Sequence, residues 1–178
     1  MKSSASKLLF LFMFPILYSP CSLAQVEISN LENLDEVLFS IYWVGNVNPD
    51  EIGINADSLY GSTRITLYLL GPKNVIDARL ISENPDQIPQ LSITVDLLTA
   101  GADYIHYAIK MELAEFVPLE RLDNRTAMVA TWQEIKYDLY EKNLAGEYLK
   151  KSIEELVTYF YQDHLEDNNP GTQKKGRR

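Results

Sequence analysis

Apolar and polar positions alternate most clearly between residues 90 and 140. Gln90 to Thr99 places Leu91, Ile93, Val95 and Leu97 on one side and Ser92, Thr94 and Asp96 on the other. A period of two describes a strand with one buried and one wet face. Tyr104 to Val117 repeats it, with Ile105, Tyr107, Ile109, Met111 and Leu113 set against His106, Lys110 and Glu112. Thr126 to Tyr140 reads as a third long strand, bearing Trp132 and Tyr137. Ala100-Gly101-Ala102-Asp103 and the polar stretch Pro118 to Arg125 supply short connections. Together these segments predict an antiparallel meander.

Val37 to Val44 is rich in β-branched and aromatic residues and reads as a strand. It is apolar on both faces: Leu38, Tyr42 and Val44 stand opposite Val37, Phe39, Ile41 and Trp43. Such a strand is either central and covered, or one face meets a partner. Val26 to Ser29 is a short candidate strand before it. After the turn-rich stretch Gly45 to Gly53 the period changes. Leu59, Thr63, Thr66, Leu67 and Leu70 recur at helical spacing. Asn55 or Asp57 supplies an N-cap and Gly71-Pro72 a stop, which predicts a helix over 56–70.

Val75 to Ile81 reads as a short strand and Glu83 to Pro89 as a loop. Asn143 to Gly146 breaks the pattern. Leu149, Ile153, Leu156, Val157 and Phe160 then trace one face of a terminal helix. The order β-α-β-β-β-β-α predicts a two-layer α+β domain. Its sheet is mostly antiparallel and its two amphipathic helices lie on one face.

The amino terminus changes the picture. Lys2 and Lys7 precede the apolar run Leu8 to Tyr18, and Ser22-Leu23-Ala24 offers a cleavage site before Gln25. This pattern predicts a secretory signal peptide over 1–24. The run is too short for a membrane span, and Pro15 interrupts it. Pro20 precedes Cys21, where a lipoprotein signal places a small residue. Cleavage after Ala24 removes Cys21, the single cysteine. An exported domain without disulfides suits a bacterial periplasm. The expected organisation is thus a signal at 1–24, one domain at 25–168 and a flexible basic tail at 169–178.

Charge follows the same division. The 178 residues carry 16 Lys and Arg against 25 Asp and Glu, a formal net of -9. Between residues 25 and 170, ten Lys and Arg face all 25 acidic residues, leaving -15. Lys174, Lys175, Arg177 and Arg178 sit in the tail. An acidic body excludes a nucleic-acid domain that grips phosphates with a basic face. The tail reads as solvated, or as a contact for a polyanion or membrane surface. A hydrophobic content of 46% excludes a disordered chain.

Catalytic motifs are missing from the sequence. No nucleophile elbow, phosphate loop, dinucleotide fingerprint or paired-histidine zinc motif occurs. His106 stands on the wet side of its strand. His164 follows Asp163 and precedes Glu166 and Asp167 on the terminal helix, where consecutive residues do not share a face. Asn46-x-Asn48-x-Asp50 opens like a calcium loop, but Glu51 replaces the required Gly. Asn124-Arg125-Thr126 is a sequon that also reads as a polar turn. No catalytic residue, cofactor or metal site is expected, and the chain reads as a non-enzyme.

Aromatic residues are the remaining signal. Ten Tyr, two Trp and three Phe follow residue 24. They serve packing, or a contact surface, where Tyr and Trp are enriched. Leu38, Tyr42, Val44, Tyr104, Tyr107 and Trp132 are the candidate partner-binding residues.

The segment Tyr104-x-x-Tyr107, Glu112-Leu113, Leu119 and Thr131-Trp132, with a terminal helix bearing Tyr161, Leu165 and Asn168, resembles a group of small exported bacterial proteins of unknown function. The expected topology is also similar to two-layer α+β envelope accessory domains. Lipopolysaccharide-assembly lipoproteins and the amino-terminal domain of the Tol translocation protein are examples. The resemblance implies an accessory or interaction component of an envelope complex with an envelope protein partner. A carrier of a lipid or other apolar molecule, with a pocket between helices and sheet, is the alternative. A hydrolase built on His106 or His164 is a third reading.

Overall fold

The computed structural model describes residues 31–83, 87–119 and 125–169. The expected signal segment, the candidate strand Val26 to Ser29, Asn124 and the residues from 170 onward lie outside them. The elements are β1 (Glu36–Gly45), α1 (Ala56–Leu70), β2 (Asn74–Asp77), β3 (Gln90–Ala100), β4 (Tyr104–Leu119), β5 (Arg125–Glu141) and α2 (Lys142–Asn168). They form one five-stranded sheet in the order β2-β1-β3-β4-β5. β1 runs parallel to both neighbours, and the β3-β4 and β4-β5 ladders are antiparallel. The α+β class, the element order and the mostly antiparallel sheet are as the sequence pattern predicts.

Helix and strand periods explain the layers. Asn55 caps α1 by accepting the Ser58 N–H at 2.8 Å, and the Gly71 N–H closes its last turn on Leu67. α1 crosses from β1 to β2, as a parallel pair requires. Phe39, Leu91, Ile93, Val95, Leu97, Ile109, Met111 and Leu113 all face the helices and are fully buried. Leu149, Ile153, Leu156 and Phe160 of α2 meet them from above. At roughly 25 cal/mol per Å² of apolar surface, this interlayer is the main source of stability.

Three local expectations need correction. β2 ends at Asp77, because the Asp77 carboxylate accepts the Arg79 N–H and turns Ala78–Leu80 into a 3-10 helix. Asn143 to Gly146 does not break the chain; α2 starts directly at Lys142. Residue 146 is glycine because the helix passes the Ile52 carbonyl so closely that a Cβ would lie 2.0 Å from its oxygen. The third concerns the β4-β5 connection, where strand runs on both sides as far as Leu119 and from Arg125.

The ends of α2 fix neighbouring segments. Asp167 accepts the Leu31 N–H at 3.0 Å, and Asn168 bonds both Asn33 and Leu31. In the Asn46/Asn48/Asp50 triplet the side-chain oxygens of Asn46 and Asn48 hold backbone amides. Asn46 accepts the Thr99 N–H, Asn48 accepts the Asp50 N–H, and Glu51 accepts the Asn48 N–H.

Candidate functional site: the open face of the sheet

Both helices cover one face of the sheet. The opposite face carries Leu38, Ser40, Tyr42 and Val44 from β1 and Ser92, Thr94, Asp96 and Leu98 from β3. β4 adds Tyr104, His106, Ala108, Lys110 and Glu112, and β5 adds Gln133, Ile135, Tyr137 and Leu139. Its middle is polar, with a Lys110–Glu112 ion pair at 2.9 Å. Its margins are apolar and exposed. Tyr42 is 55% exposed, Ile135 52% and Tyr137 75%, and Val44, Leu98, Tyr104 and Leu139 are exposed as well. Isolated exposed apolar residues are ordinary; here seven gather on one face that no helix among the described residues covers.

The six candidate residues divide evenly. Tyr42, Val44 and Tyr104 stand on this face and are exposed. Leu38 shares the face but is 4% exposed, because β1 meets the 3-10 turn after β2 at that end and its N–H bonds Pro89. Tyr107 points into the helix layer, three residues from Tyr104 and so on the other side of β4. Its hydroxyl bonds Ser152 at 2.8 Å, its ring stacks on Tyr140, and burial pushes its pKa up. Trp132 is buried against Phe160 at 5.2 Å, and its indole N–H donates to Asp163 at 2.9 Å. Leu38, Tyr107 and Trp132 are therefore packing residues.

Ile135, Leu139, Leu98 and Tyr137 share this exposed face although none is among the six candidates. The signal is parity. Ile135, Tyr137 and Leu139 share one side of β5, while Glu134, Lys136 and Asp138 share the other. An apolar set normally points at the core, so the charges would be placed outward. In β5 they point at the helix layer: Lys136 pairs with Glu155 of α2, and that bond lowers the Glu155 pKa. Asp138 bonds Tyr140, pushing the Tyr140 pKa up to about 12.

A second cluster lies where α1 meets β2. The Tyr60 hydroxyl donates to Asp77 at 2.7 Å and lies 3.0 Å from the Phe39 carbonyl. Arg79 donates to Asp77 through Nε and Nη2, and its guanidinium lies 3.7 Å from the Tyr60 ring centroid. The Arg79 bonds hold the Asp77 carboxyl well below the usual carboxylate range. Burial raises the Tyr60 pKa. All members satisfy one another, so the cluster acts as a clasp. Beside it, a groove of about 340 Å³ is lined by Gly61, Arg64, Ile65, Tyr68 and Val75.

His164 sits with Nε2 3.3 Å from the Leu34 carbonyl, and its neighbour Asp163 holds Trp132. His106 faces Leu98 and Leu139 across the open face. Among the described residues no three His, Cys, Asp or Glu side chains gather as a metal site. Nor is any helix among them long and apolar enough to cross a membrane.

No protein-family model matches the chain. No curated protein sequence matches it significantly. Among solved structures it is similar to a minor lipoprotein from Acinetobacter baumannii, at 10% identity and a TM-score of 0.35, over 74% of this chain and 90% of that one. It is also similar to the rare lipoprotein B from Shewanella oneidensis, at 13% identity and a TM-score of 0.32, over 70% and 91% of the two chains.

Proposed function

We propose that this chain is an exported, non-enzymatic periplasmic protein that holds another envelope protein against the open face of its sheet. The observation that carries the reading is the asymmetry of the sheet. One face is closed by two helices, while the other leaves Tyr42, Val44, Leu98, Tyr104, Ile135, Tyr137 and Leu139 in solvent. Apolar margins around a polar, ion-paired middle suit a protein partner, since aromatic anchors give contact area and polar groups give register. The amino-terminal signal pattern supports export.

Photo-crosslinking residues placed at Tyr42 and Tyr104 in living cells test it. Both should trap the same envelope protein, and Lys150, exposed on α2, should not. Equal trapping from Lys150, or none from the sheet positions, overturns the reading. Fractionation that leaves the chain in the cytoplasm overturns its export.

The groove between α1 and β2 favours a second reading, as a carrier of a small apolar molecule. The centre of the interlayer is filled by Phe39, Ile93, Met111, Leu149 and Phe160, so a ligand would sit at this margin. Native mass spectrometry of gently purified protein should then show a retained ligand mass that Gly61→Trp abolishes. A ligand-free mass spectrum removes this reading.

A further inference from the structure

Among the described residues β5 forms one margin of the sheet and has only β4 beside it. It runs for seventeen residues, Arg125–Glu141. Edges of that length are normally shortened, charged outward, broken by Pro or covered, because their free N–H and C=O groups recruit another strand. β5 contains no Pro. Its register with β4 slips once, opposite Leu113/Ala114, and is regular from Trp132 to Glu141.

We propose that this segment pairs antiparallel with the same segment of a second copy, about a two-fold axis through Tyr137. In a symmetric pairing the centre sets every cross-strand neighbour. With Tyr137 central, it meets Tyr137 of the second copy. Ile135 meets Leu139 of the second copy, twice by symmetry. The exposed apolar side chains of β5's open face thus cover one another. On the helix face Lys136 meets Asp138 of the second copy, also twice, and Glu134 meets Tyr140. No like charges are opposed.

Neighbouring centres are worse. A centre at Lys136 sets Lys against Lys and Glu134 against Asp138. One at Asp138 sets Asp against Asp and Ile135 against Glu141. Centring on Ile135 pairs Glu134 with Lys136 but sets Leu139 against Thr131, at the register slip. Directly opposed pairs of matching chemistry stabilise a ladder and like charges destabilise it. The paired stretch, Gln133 to Glu141, stops where α2 begins and just short of the slip. The pairing takes Ile135, Tyr137 and Leu139 from the exposed set and leaves Tyr42, Val44, Leu98 and Tyr104, so crosslinking at Tyr42 and Tyr104 tests the envelope-partner reading apart from it.

Sedimentation of the purified full chain at tens of micromolar, together with cysteine crosslinking, tests the proposal. A Cys21→Ser background removes the natural thiol. Opposed Cβ atoms lie about 5 Å apart. Tyr137→Cys should therefore give a disulfide-linked dimer on mild oxidation. Ile135→Cys should not, since its two copies would be about 13 Å apart along the strands. Mixing Ile135→Cys chains with Leu139→Cys chains should restore the crosslink. Leu139→Lys should sediment as a monomer with unchanged circular dichroism. A monomeric wild-type chain overturns the proposal. So does crosslinking of Ile135→Cys to itself as fast as Tyr137→Cys.

Discussion

The two margins of the sheet are built differently. β2 is four residues long and β5 seventeen. At β2, Arg64 Nε donates to the Val75 carbonyl at 3.1 Å, and Asp77 is clasped by Tyr60 and Arg79. Short length, ionic side chains and an adjoining helix are the means by which edges resist pairing. β5 turns Lys136 inward to Glu155 and leaves Ile135, Tyr137 and Leu139 outside, while the Asp138 carboxylate accepts the Leu139 N–H at 2.8 Å. The difference teaches that length and outward-facing side chains, not position at a margin, decide how open an edge is to pairing.

The largest effect should come from breaking the inner attachment of β5. Trp132→Ala removes the edge contact with Phe160 and the bond to Asp163. It should cost about 3–5 kcal/mol, read as a drop in the urea midpoint. A loss under about 1 kcal/mol would mean that β5 is held by its ladder with β4 alone.

Next comes the clasp at β2. Asp77→Asn keeps the shape and the acceptor but removes the charge that the Arg79 bonds require, for about 2 kcal/mol at neutral pH. The dependence on pH has a definite sign. The folded-state pKa of Asp77 is depressed below the unfolded value of 3.8, so its contribution is complete above that value. It is lost as pH falls towards the folded-state value. Denaturant titrations should show the wild-type advantage over Asp77→Asn at pH 7 and its shrinkage between pH 4 and pH 2. A gap that does not change with pH would sink the electrostatic account.

How much of this was legible in the sequence follows from the same contrast. Strands whose alternation agrees with burial, such as β3, were readable almost to the residue. Leu91, Ile93, Val95 and Leu97 all sit in the core as their period requires. α1 was readable because cap and stop are local. The order β2-β1-β3 was not, since nothing local says that β1 lies between two later strands. Gly146 read as a breaker because its reason, the Ile52 carbonyl, is far away in the chain. Exposure among the six candidates was half legible. Tyr42, Val44 and Tyr104 are where an exposed set should be, while Tyr107 and Trp132 are aromatics that the helices cover.

A smaller effect is expected at the guarded margin. Arg64→Met keeps the apolar stem over β2 but removes the donor to the Val75 carbonyl and the 3.8 Å ion pair with Asp77. One hydrogen bond at a half-exposed site is worth about 1 kcal/mol. Thermal melting should register it. Faster hydrogen exchange confined to the Asn74–Asp77 amides would show that the guanidinium guards this edge, whereas an unchanged rate there would remove it from that role.

The smallest stability change should come at the bare margin. Ile135→Thr keeps β-branching, and so strand propensity, while removing apolar surface that the isolated chain leaves in water. At a side chain 52% exposed, the substitution should alter the unfolding free energy of a dilute, monomeric sample by no more than about 0.5 kcal/mol. An equivalent change at buried Ile93, Ile93→Thr, should cost several times more, since a hydroxyl would enter the packed layer. Concentration is the discriminating variable. If β5 is used, the cost of Ile135→Thr grows as the protein is concentrated into the range where wild-type chains associate, because binding stabilises the folded state by mass action. A cost that stays flat across that range would make the exposed stripe of β5 inert towards its own copies.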